Sequence, residues 1–564
     1  MSKREIIKKG IDYLKYYGVK ELARKTEERL IPEIYPYSDW YPSHLMSQGM
    51  IEIPEKPDFD FNPLISIIVP AYETPRESLA AMIESVTSQI YPTFQLCIAD
   101  GSRSDVVKDS VEPYLSDSRI CYKRLENNLG ISGNTNAAIQ MSRGEYLAFL
   151  DHDDMLEPDA LLEMVRLLNQ KPDTEFIYTD EDKCSNDGST FFKPHFKSGF
   201  NLDLLRSNNY ICHFFMVKRD LYDRVGPFDR SFDGAQDYDF VLRCIENTHK
   251  IEHISKVLYH WRTGENSTAD NAASKMYAFE AGRRAVAAHL SRLGIEAAVH
   301  HGQDLGYYRV KYALTTEPKV SVVVTSAGDS KALAKCIKTL RKCEYDNYEF
   351  FIIKDDSREI NDCIRNNATG DYIVILNEEL ITSEKENWMS ELLSQCMRDD
   401  IGVVGVKLVA PSGRLFNRHF PIKSVYHAGM ILGMSGMVGN AFKGLPANLT
   451  GYMHRAAVLS NCSAVSSLMY MVKRDVFLDA GGLDEGVAPG LAGPDLCLKL
   501  QEKGRRILYD PYVSATYYGK GARINADDMR LMRTRWAHLL SEGDRYYNPN
   551  FSLESPGYVL NMNK

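Results

Sequence analysis

The sequence Asp-His-Asp-Asp at residues 151–154 directly follows the apolar run EYLAFL. The run predicts a buried strand, which places these polar residues at the strand's carboxyl end, where open α/β sheets bind ligands. Crowded carboxylates repel one another, and a hard divalent cation with oxygen ligands relieves that repulsion. His260, at the end of the strand-like run VLYHWR, is a further candidate metal ligand. The pattern favours a site for a divalent cation and a phosphate-bearing ligand.

Other polar groups follow predicted strands or begin predicted helices. Tyr72 and Glu73 follow the strand in LISIIVPAY, and Asp100 ends the next strand, where it is suited to accept a hydrogen bond from a pyrimidine N–H. The Gly- and Asn-rich segment 126–138 begins a helix whose backbone N–H groups are expected to face phosphates. Asp237 lies in a short polar segment before the apolar helix FVLRCI. Together these groups predict a site for a nucleotide.

The elements that position these residues alternate between strand and helix, which predicts an α/β fold with a mostly parallel sheet. The pattern then returns: SIIVP (66–70) matches SVVVT (321–325), and GEYLAFLDHDD (144–154) matches GDYIVILNEEL (370–380). Two copies of one fold are the simplest account of this repetition. The boundary is expected in TTEPK, at 315–319.

The ordered set of motifs resembles family 2 glycosyltransferases of the GT-A fold, a Rossmann-like nucleotide-sugar transferase fold. The matching motifs lie between residues 63 and 262: SIIVPAY, ADGS, NNLGISGNTNAA, GEYLAFLDHDD, GAQDYDFVLR and LYHWR. The segments YTDEDK (178–183) and FKPHF (192–196) narrow the resemblance to two-domain bacterial enzymes that build O-antigen, rhamnan or capsule polysaccharides. The resemblance implies a metal-dependent, inverting hexosyltransferase.

The resemblance also implies roles for residues of the first copy. Asp237 takes the place of the catalytic base, and Asp151, Asp153 and His260 that of the ligands of Mn²⁺ or Mg²⁺. The implied nucleotide-sugar site comprises Pro70, Tyr72, Glu73, Asp100, Asn128, Gly130, Asn134, Asp151 and His152. A weaker match places acceptor contacts at Asp180, Glu181, Asp182, Gln236 and Trp261.

The second copy keeps the strand pattern but loses chemical groups. The acidic cluster becomes Asn377-Glu378-Glu379-Leu380, and Gly493 stands in place of Asp237. We therefore expect a degenerate second domain. The predicted organisation is an N-terminal amphipathic helix and linker (1–58), a catalytic GT-A domain (59–314), a degenerate GT-A-like domain (315–523), and a C-terminal helix and tail (524–564).

Three functions remain open at this point. The first is transfer of a sugar from a dTDP- or UDP-sugar, with dTDP-L-rhamnose the first candidate, to a cell-surface polysaccharide or lipid-linked oligosaccharide. The second is a bifunctional polymerase with two active copies. The third is a non-catalytic glycan-binding or assembly protein, against which the intact acidic set of the first copy counts.

Composition limits the class of protein and its partners. The chain has 564 residues and a formal charge of −9, which argues against a dedicated nucleic-acid binder. No apolar run approaches the length of a membrane span, no secretory signal precedes the fold, and eleven cysteines are scattered, all of which predict a cytoplasmic protein. The basic, amphipathic residues 1–30 are interpreted either as a peripheral contact with the inner membrane or as a helix packed on the protein, including in a homodimer.

Overall fold

The apolar runs ISIIVPA and FQLCIAD form two adjacent parallel strands, β1 (Ile65–Ala71) and β2 (Phe94–Asp100), in which Ala71 pairs with Asp100. In the computed structural model the described residues are 24, 37–41, 59–263, 272–383, 387–411, 413–415, 418–420, 423–521 and 524–562. The predicted helix at 1–30 lies outside them, apart from Arg24. Among the described helices, none has the length and apolar character needed to cross a membrane.

The described chain forms two units. The N-terminal unit draws on 35–200, 208–308 and 560–564, and the C-terminal unit on 1–34, 201–207 and 309–559. The short segment 201–207 therefore packs with the second half of the chain. There, the Asp203 carboxylate pairs with Arg398 at 2.7 Å and with Arg506, and accepts a hydrogen bond from Asn461 at 2.7 Å.

The described residues form 24 strands, of which eleven lie in the first half of the chain. Besides β1 and β2 they are β3 (Ile120–Arg124), β4 (Tyr146–Phe149), β5 (Met155–Leu156), β6 (Phe176–Ser185), β7 (Phe191–His195), β8 (Phe215–Lys218), β9 (Ile251–Thr263), β10 (Ala297–His301) and β11 (Tyr308–Tyr312). The main sheet has the order β3-β2-β1-β4-β8-β6-β9-β5, with β7 on β6. Strands β1 to β4 and the β6–β9 pair run parallel, whereas β8 and β5 pair antiparallel with their neighbours.

The second half contributes thirteen strands. They are β12 (Val320–Ser326), β13 (Tyr348–Lys354), β14 (Tyr372–Asn377), β15 (Leu380–Thr382), β16 (Ile401–Ala410), β17 (Gly413–Leu415), β18 (Arg418–Phe420), β19 (Ser424–His427), β20 (Met430–Leu432), β21 (Val438–Asn440), β22 (Ser460–Asn461), β23 (Met469–Lys473) and β24 (Arg506–Tyr517). The main sheet has the order β13-β12-β14-β23-β16-β24-β15. This order and its strand directions repeat those of β2-β1-β4-β8-β6-β9-β5.

Helices cover the sheets and supply the rest of the two cores. Apolar residues of the helix Arg76–Thr87, which the sequence predicts at 77–90, pack with those of Ala160–Gln170 against the N-terminal sheet. The helices are Arg76–Thr87, Val106–Val111, Gly130–Met141, Ala160–Gln170, Leu202–Ser207, Arg219–Val225, Gln236–Asn247, Ala272–Arg292, Ser330–Leu340, Ser357–Asn366, Trp388–Cys396, Arg474–Asp479, Pro489–Glu502, Ala526–Arg535 and Ala537–Glu542.

The predicted extended linker is described only at 37–41, and there it is helical and buried. Trp40 packs edge-on against Phe196 at a ring distance of 5.3 Å, and the Tyr37 hydroxyl donates to Asp182 at 2.8 Å. These aromatic residues therefore form part of the N-terminal unit instead of an extended connection.

Candidate active site

The ends of β1 and β2 are joined by hydrogen bonds from Glu73. Its N–H donates to Ser102 Oγ at 2.8 Å, and its carboxylate accepts from the N–H of Arg103 at 2.7 Å. Tyr72 is exposed beside it, whereas Pro70 is buried within β1. Tyr72 and Glu73, two of the residues predicted for the nucleotide site, thus lie at the carboxyl ends of the strands.

Asp100 is fixed at the end of β2. Its carboxylate is buried and accepts from the N–H of Ser102 at 2.8 Å and from the hydroxyl of Tyr122 at 2.7 Å. The Arg124 guanidinium lies 3.6 Å away. The side chain is thus held in one orientation by contacts within the fold, and its role in binding the base stays a prediction.

The Gly- and Asn-rich loop differs from the expected phosphate cradle. Asn128 Oδ1 accepts from the N–H of Gly130 at 3.0 Å and from Asn134 Nδ2 at 3.1 Å, so these side chains fix the loop itself. The Asp233 carboxylate accepts from the hydroxyl of Ser132 at 2.5 Å and its N–H at 3.4 Å, in the first turn of the helix that follows. A protein carboxylate therefore occupies the position at the helix N-terminus where the sequence predicts a phosphate.

The acidic cluster after β4 divides into an exposed part and a buried part. The side chains of Asp151 and Asp153 are 44% and 41% exposed, and His152 Nδ1 lies 3.7 Å from Asp153 Oδ1. Burial raises the pKa of the Asp153 carboxyl, and the Asp151 carboxylate adds to the rise. Asp154 turns inward, where it accepts from the Tyr259 hydroxyl and from the N–H of Arg262.

Asp237 lies in the first turn of the helix Gln236–Asn247. Its Oδ2 accepts from Asn209 Nδ2 at 2.9 Å. Burial raises the pKa of the Asp237 carboxyl, the nearby Asp151 adds to this rise, and His213 opposes it. A carboxylate with a raised pKa has a higher affinity for a proton, which suits a general base.

His213 links the two acidic groups, and sequence reasoning missed it. Its Nε2 lies 3.5 Å from Asp151 Oδ2. Burial opposes the charged imidazole, but Cys212 and the carboxylates of Asp151 and Glu181 outweigh it and raise the pKa of His213. The residue stands in the apolar run ICHFFMV, where the pattern indicates only a buried strand.

Trp261 and Gln236, two of the predicted acceptor residues, have different surroundings. Trp261 lies edge-on to His213 at a ring distance of 6.1 Å, with Lys183 Nζ 4.2 Å above its ring. Gln236 instead accepts from the N–H of Gly234 through its side-chain oxygen. Trp261 is therefore beside the acidic cluster, and Gln236 stabilises the turn before Asp237.

His260, which the sequence predicts to be a metal ligand, lies between two carboxylates of the fold. Its Nδ1 donates to Asp182 at 2.6 Å and its Nε2 to Glu157 at 2.9 Å, and the residue is buried. Although burial opposes charge, these two carboxylates raise the pKa of His260 to about 10. Both ring nitrogens thus face carboxylates of the fold, and the role of His260 as a metal ligand stays a prediction.

Asp180, Glu181 and Asp182, the predicted acceptor contacts, are all buried on β6, and their role stays a prediction. Asp180 accepts from His253 Nε2 at 2.8 Å, and Glu181 pairs with Lys197 at 3.2 Å. Asp182 binds His260. Buried charges require such partners, so these carboxylates are structural.

The equivalent positions of the C-terminal unit hold their polar groups differently. Glu378 accepts from the Ser326 hydroxyl at 2.5 Å and from the N–H of Ala327 at 2.6 Å. Gly493 donates its N–H to Ser467 Oγ at 3.0 Å. Asp495 is buried and binds Arg535, Trp536 and Lys499. These residues are engaged in contacts within the fold.

Metal binding can be tested against the donor set. Within the described ranges, no three His, Cys, Asp or Glu side chains are grouped to hold a metal by themselves. A Mg²⁺ ion bound with a nucleotide, however, needs only one or two protein carboxylates besides phosphates and water. Asp151 and Asp153 fit that requirement, because both are partly exposed and the repulsion between them would be relieved.

The comparisons with known proteins agree with this architecture. Residues 66–226 match the model of glycosyl transferase family 2. The chain is 33% identical to the uncharacterized protein y4gI of Sinorhizobium fredii, over 88% of this chain and 58% of that protein. It is 29% identical to the O-antigen biosynthesis protein RfbC of Myxococcus xanthus, over 87% of this chain and 40% of that one. It is 28% identical to the chondroitin synthase of Escherichia coli, over 42% and 34% respectively. The chain thus matches the Sinorhizobium and Myxococcus proteins over most of its own length, but it spans only about half of theirs.

Proposed function

On the premise that residues 66–226 are a glycosyl transferase family 2 domain, we propose that the protein transfers a sugar from a nucleotide-sugar to a growing cell-surface polysaccharide or lipid-linked oligosaccharide. The proposed donor is a dTDP- or UDP-sugar, with dTDP-L-rhamnose first. The observation that carries the proposal is the meeting of Asp151, His213 and Asp237 at the strand ends of one unit. The similarity to the O-antigen biosynthesis protein of Myxococcus supports a polysaccharide product.

The chemistry assigns one role to each group. Asp237 accepts the proton of the incoming acceptor hydroxyl, whose oxygen then bonds to the anomeric carbon as the bond to the nucleoside diphosphate breaks. Attack by this oxygen on the face opposite the leaving group gives inversion. The fixed carboxylate of Asp100 binds the nucleotide base, and Tyr72 and Glu73 border it.

A divalent cation, Mn²⁺ or Mg²⁺, would be held by Asp151 and Asp153 and would neutralise charge on the departing diphosphate. Asp151 also lies beside His213, whose pKa is raised. His213 and Asn209 act on Asp151 and Asp237, respectively, and are positioning residues in this proposal. That the protein works at the cytoplasmic face of the membrane, and that it forms a homodimer, remain predictions.

The experiment is calorimetric titration of UDP- and dTDP-sugars, with and without Mn²⁺, into the wild type, Asp153→Ala and Glu379→Ala. We expect one metal-dependent site that is lost only in Asp153→Ala. Two sites, each lost in a different variant, would instead support the bifunctional polymerase. Glycan binding without any nucleotide-sugar binding would support the non-catalytic alternative and overturn the proposal.

A further inference from the structure

The C-terminal unit contains a cavity of about 460 Å³ at the edge of its sheet, on the strands β15, β16 and β24. Among the described residues, no carboxylate lines it. Its lining residues are Ile381, Thr382, Ser383, Lys407, Val409, Lys423, Ala447, Pro511, Ser514, Thr516 and Tyr518. A volume of this order is typical of small-molecule sites, and the lining is rich in hydroxyl groups with two lysines.

Strand register shows what stands at the same place in the N-terminal unit. There, His260 of β9 pairs with Met155 of β5 and with Asp182 of β6. In the C-terminal unit, Thr516 of β24 pairs with Ile381 of β15 and Val409 of β16. Thr516 and Val409 therefore replace His260 and Asp182.

His260, Asp182 and Glu157 form a buried ion cluster, and its third member, Glu157, is replaced in the same way. Glu157 follows Met155 by two residues, and Ser383 follows Ile381 by two. Thr516, Val409 and Ser383 all line the cavity. The Tyr37 and Tyr41 hydroxyls bind Asp182 and Glu157 in the N-terminal unit and cover the cluster there. The C-terminal unit thus has smaller, uncharged side chains where the N-terminal unit has a filled ionic core.

This cavity is lined by two lysines, whereas the equivalent cluster of the N-terminal unit contains two carboxylates. Lys407 is only 8% exposed, and its Nζ donates to the carbonyl oxygen of Ala447 at 3.1 Å. Among the described residues no carboxylate lies within ion-pair distance of Lys407 or Lys423, whose Nζ donates to Thr516 Oγ1 at 3.1 Å. Burial lowers the pKa of Lys407 to about 8, so the ammonium form still predominates at neutral pH. An ammonium group buried without an anion is costly, and an oxyanion would remove that cost.

A second polar group points to a ligand. The Thr382 hydroxyl is buried, lines the cavity and lacks a hydrogen-bond partner among the described residues. Buried hydroxyls normally have one. At the edge of the cavity, the Tyr518 ring is 58% exposed and offers an apolar face to a sugar ring.

We propose that this cavity binds an acidic saccharide, a sugar ring that carries a carboxylate or phosphate, with Lys407 and Lys423 on the oxyanion and the hydroxyl of Thr382 on the ligand. The inference depends on the C-terminal unit alone and not on the function proposed for the N-terminal site. It gives the second unit a binding role that needs none of the catalytic groups it lacks.

The test is calorimetric titration of the full chain with glucuronate and glucose 1-phosphate, and with glucose and inorganic phosphate as the matched uncharged and sugar-free probes. We expect an acidic sugar to bind at least about tenfold more tightly than glucose or phosphate. Lys407→Met should weaken it by roughly 10- to 100-fold, as expected for a lost hydrogen bond to a charged group. The preferred acidic sugar identifies the oxyanion as carboxylate or phosphate.

Controls separate this site from other effects. Lys503→Met removes the same charge from the surface of the same unit, where Lys503 pairs with Asp479, and should bind like the wild type. Thr382→Val keeps both lysines and should weaken binding a few-fold. Asp153→Ala should bind the probes normally even where it loses the nucleotide-sugar. Equal binding of phosphate and sugar phosphate, no binding of either acidic sugar, or unchanged affinity in Lys407→Met would each overturn the proposal.

Discussion

The loops after β4 and after β14 occupy the same place in two sheets of the same strand order, but their acidic side chains point to different partners. Asp151 and Asp153 remain partly exposed beside His213. Glu378 is 2% exposed and accepts hydrogen bonds from Ser326 and Ala327 in its own unit. The longer glutamate side chain reaches back and stabilises a loop. Glu378 stands in place of His152, and the half-buried Glu379 stands in place of Asp153, so the two loops differ in which of their side chains are engaged by donors of the same unit.

The helix that carries Asp237 offers a second comparison. Gly493, at the equivalent position in the sequence, donates its N–H to Ser467, and a Cβ atom built on it would lie 2.8 Å from the Ser467 Cα. No side chain fits there unless the backbone moves. The absence of a carboxylate at position 493 is thus built into the packing of the C-terminal unit.

The strongest way to break the comparison is to remove the exposed carboxylate of the N-terminal site. Asp153→Ala should reduce transfer by about 10³-fold or more, since it removes a carboxylate that would hold the cation and several kcal/mol of charge stabilisation with it. A radiolabel transfer assay measures the loss. Full activity in this variant would place the reaction elsewhere in the chain.

Asp237→Asn should have the next largest effect. The amide keeps the shape of the side chain but is a very weak base, so kcat should fall by about 10²- to 10⁴-fold while the Kd of the donor stays unchanged. Rapid-quench kinetics together with donor titration separate the two quantities. A parallel loss of donor binding would show that Asp237 has a structural role.

His260→Gln tests the structural contacts of His260 against its predicted role as a metal ligand. It leaves the Asp182 and Glu157 carboxylates buried without their cation and should lower the free energy of unfolding by about 3–5 kcal/mol. Chemical denaturation measures this change. Thr516→Val, the matched change in the C-terminal unit, should cost less than about 1 kcal/mol. If His260→Gln left stability unchanged but abolished metal binding, the ligand role would return.

Two buried histidines should give opposite pH dependence. His260 has a raised pKa, so its contribution to stability is complete below about pH 6.5 and is lost as the pH rises through about 10. His427 accepts from the N–H of Ser466 and has a pKa lowered by burial to about 4, so its contribution is lost as the pH falls from about 6.5 towards 4. The difference in the free energy of unfolding between the wild type and His427→Asn should therefore shrink as the pH falls from about 6.5 towards 4. A constant difference would contradict the assignment.

Glu379→Ala should have the smallest effect, a change in transfer rate within a few-fold, because the C-terminal unit has no base at position 493. The same transfer assay with product linkage analysis measures it. Complete loss of one of two linkages would make both units active.

The elements of the fold follow from local sequence, whereas parts of the site do not. Runs such as ISIIVPA and YIVILN are apolar enough to predict buried strands, and their recurrence predicts the repeated sheet order. Asp151, Asp153 and Asp237 were also predicted as neighbours, because strand and helix ends converge at one edge of such a sheet.

Local sequence does not show contacts between residues that are distant along the chain. His260 binds Glu157 and Asp182, 103 and 78 residues away, and no local pattern shows that both ring nitrogens are occupied. Asp233 reaches the helix N-terminus at Ser132 over 101 residues. In each case a polar group predicted to meet a ligand meets another part of the chain.

The segment 201–207 has a consequence for the modularity of this protein. Its Asp203 is synthesised with the first half of the chain but neutralises Arg398 and Arg506 in the second. During translation this carboxylate emerges 195 residues before Arg398 and 303 residues before Arg506, so the C-terminal unit completes its core last. Recombination between related genes faces the same constraint: an exchange of the second half at residue 309 would separate Arg398 and Arg506 from Asp203 and leave Asp400 as their remaining carboxylate partner, unless the seven residues from Asn201 to Ser207 are inherited with it.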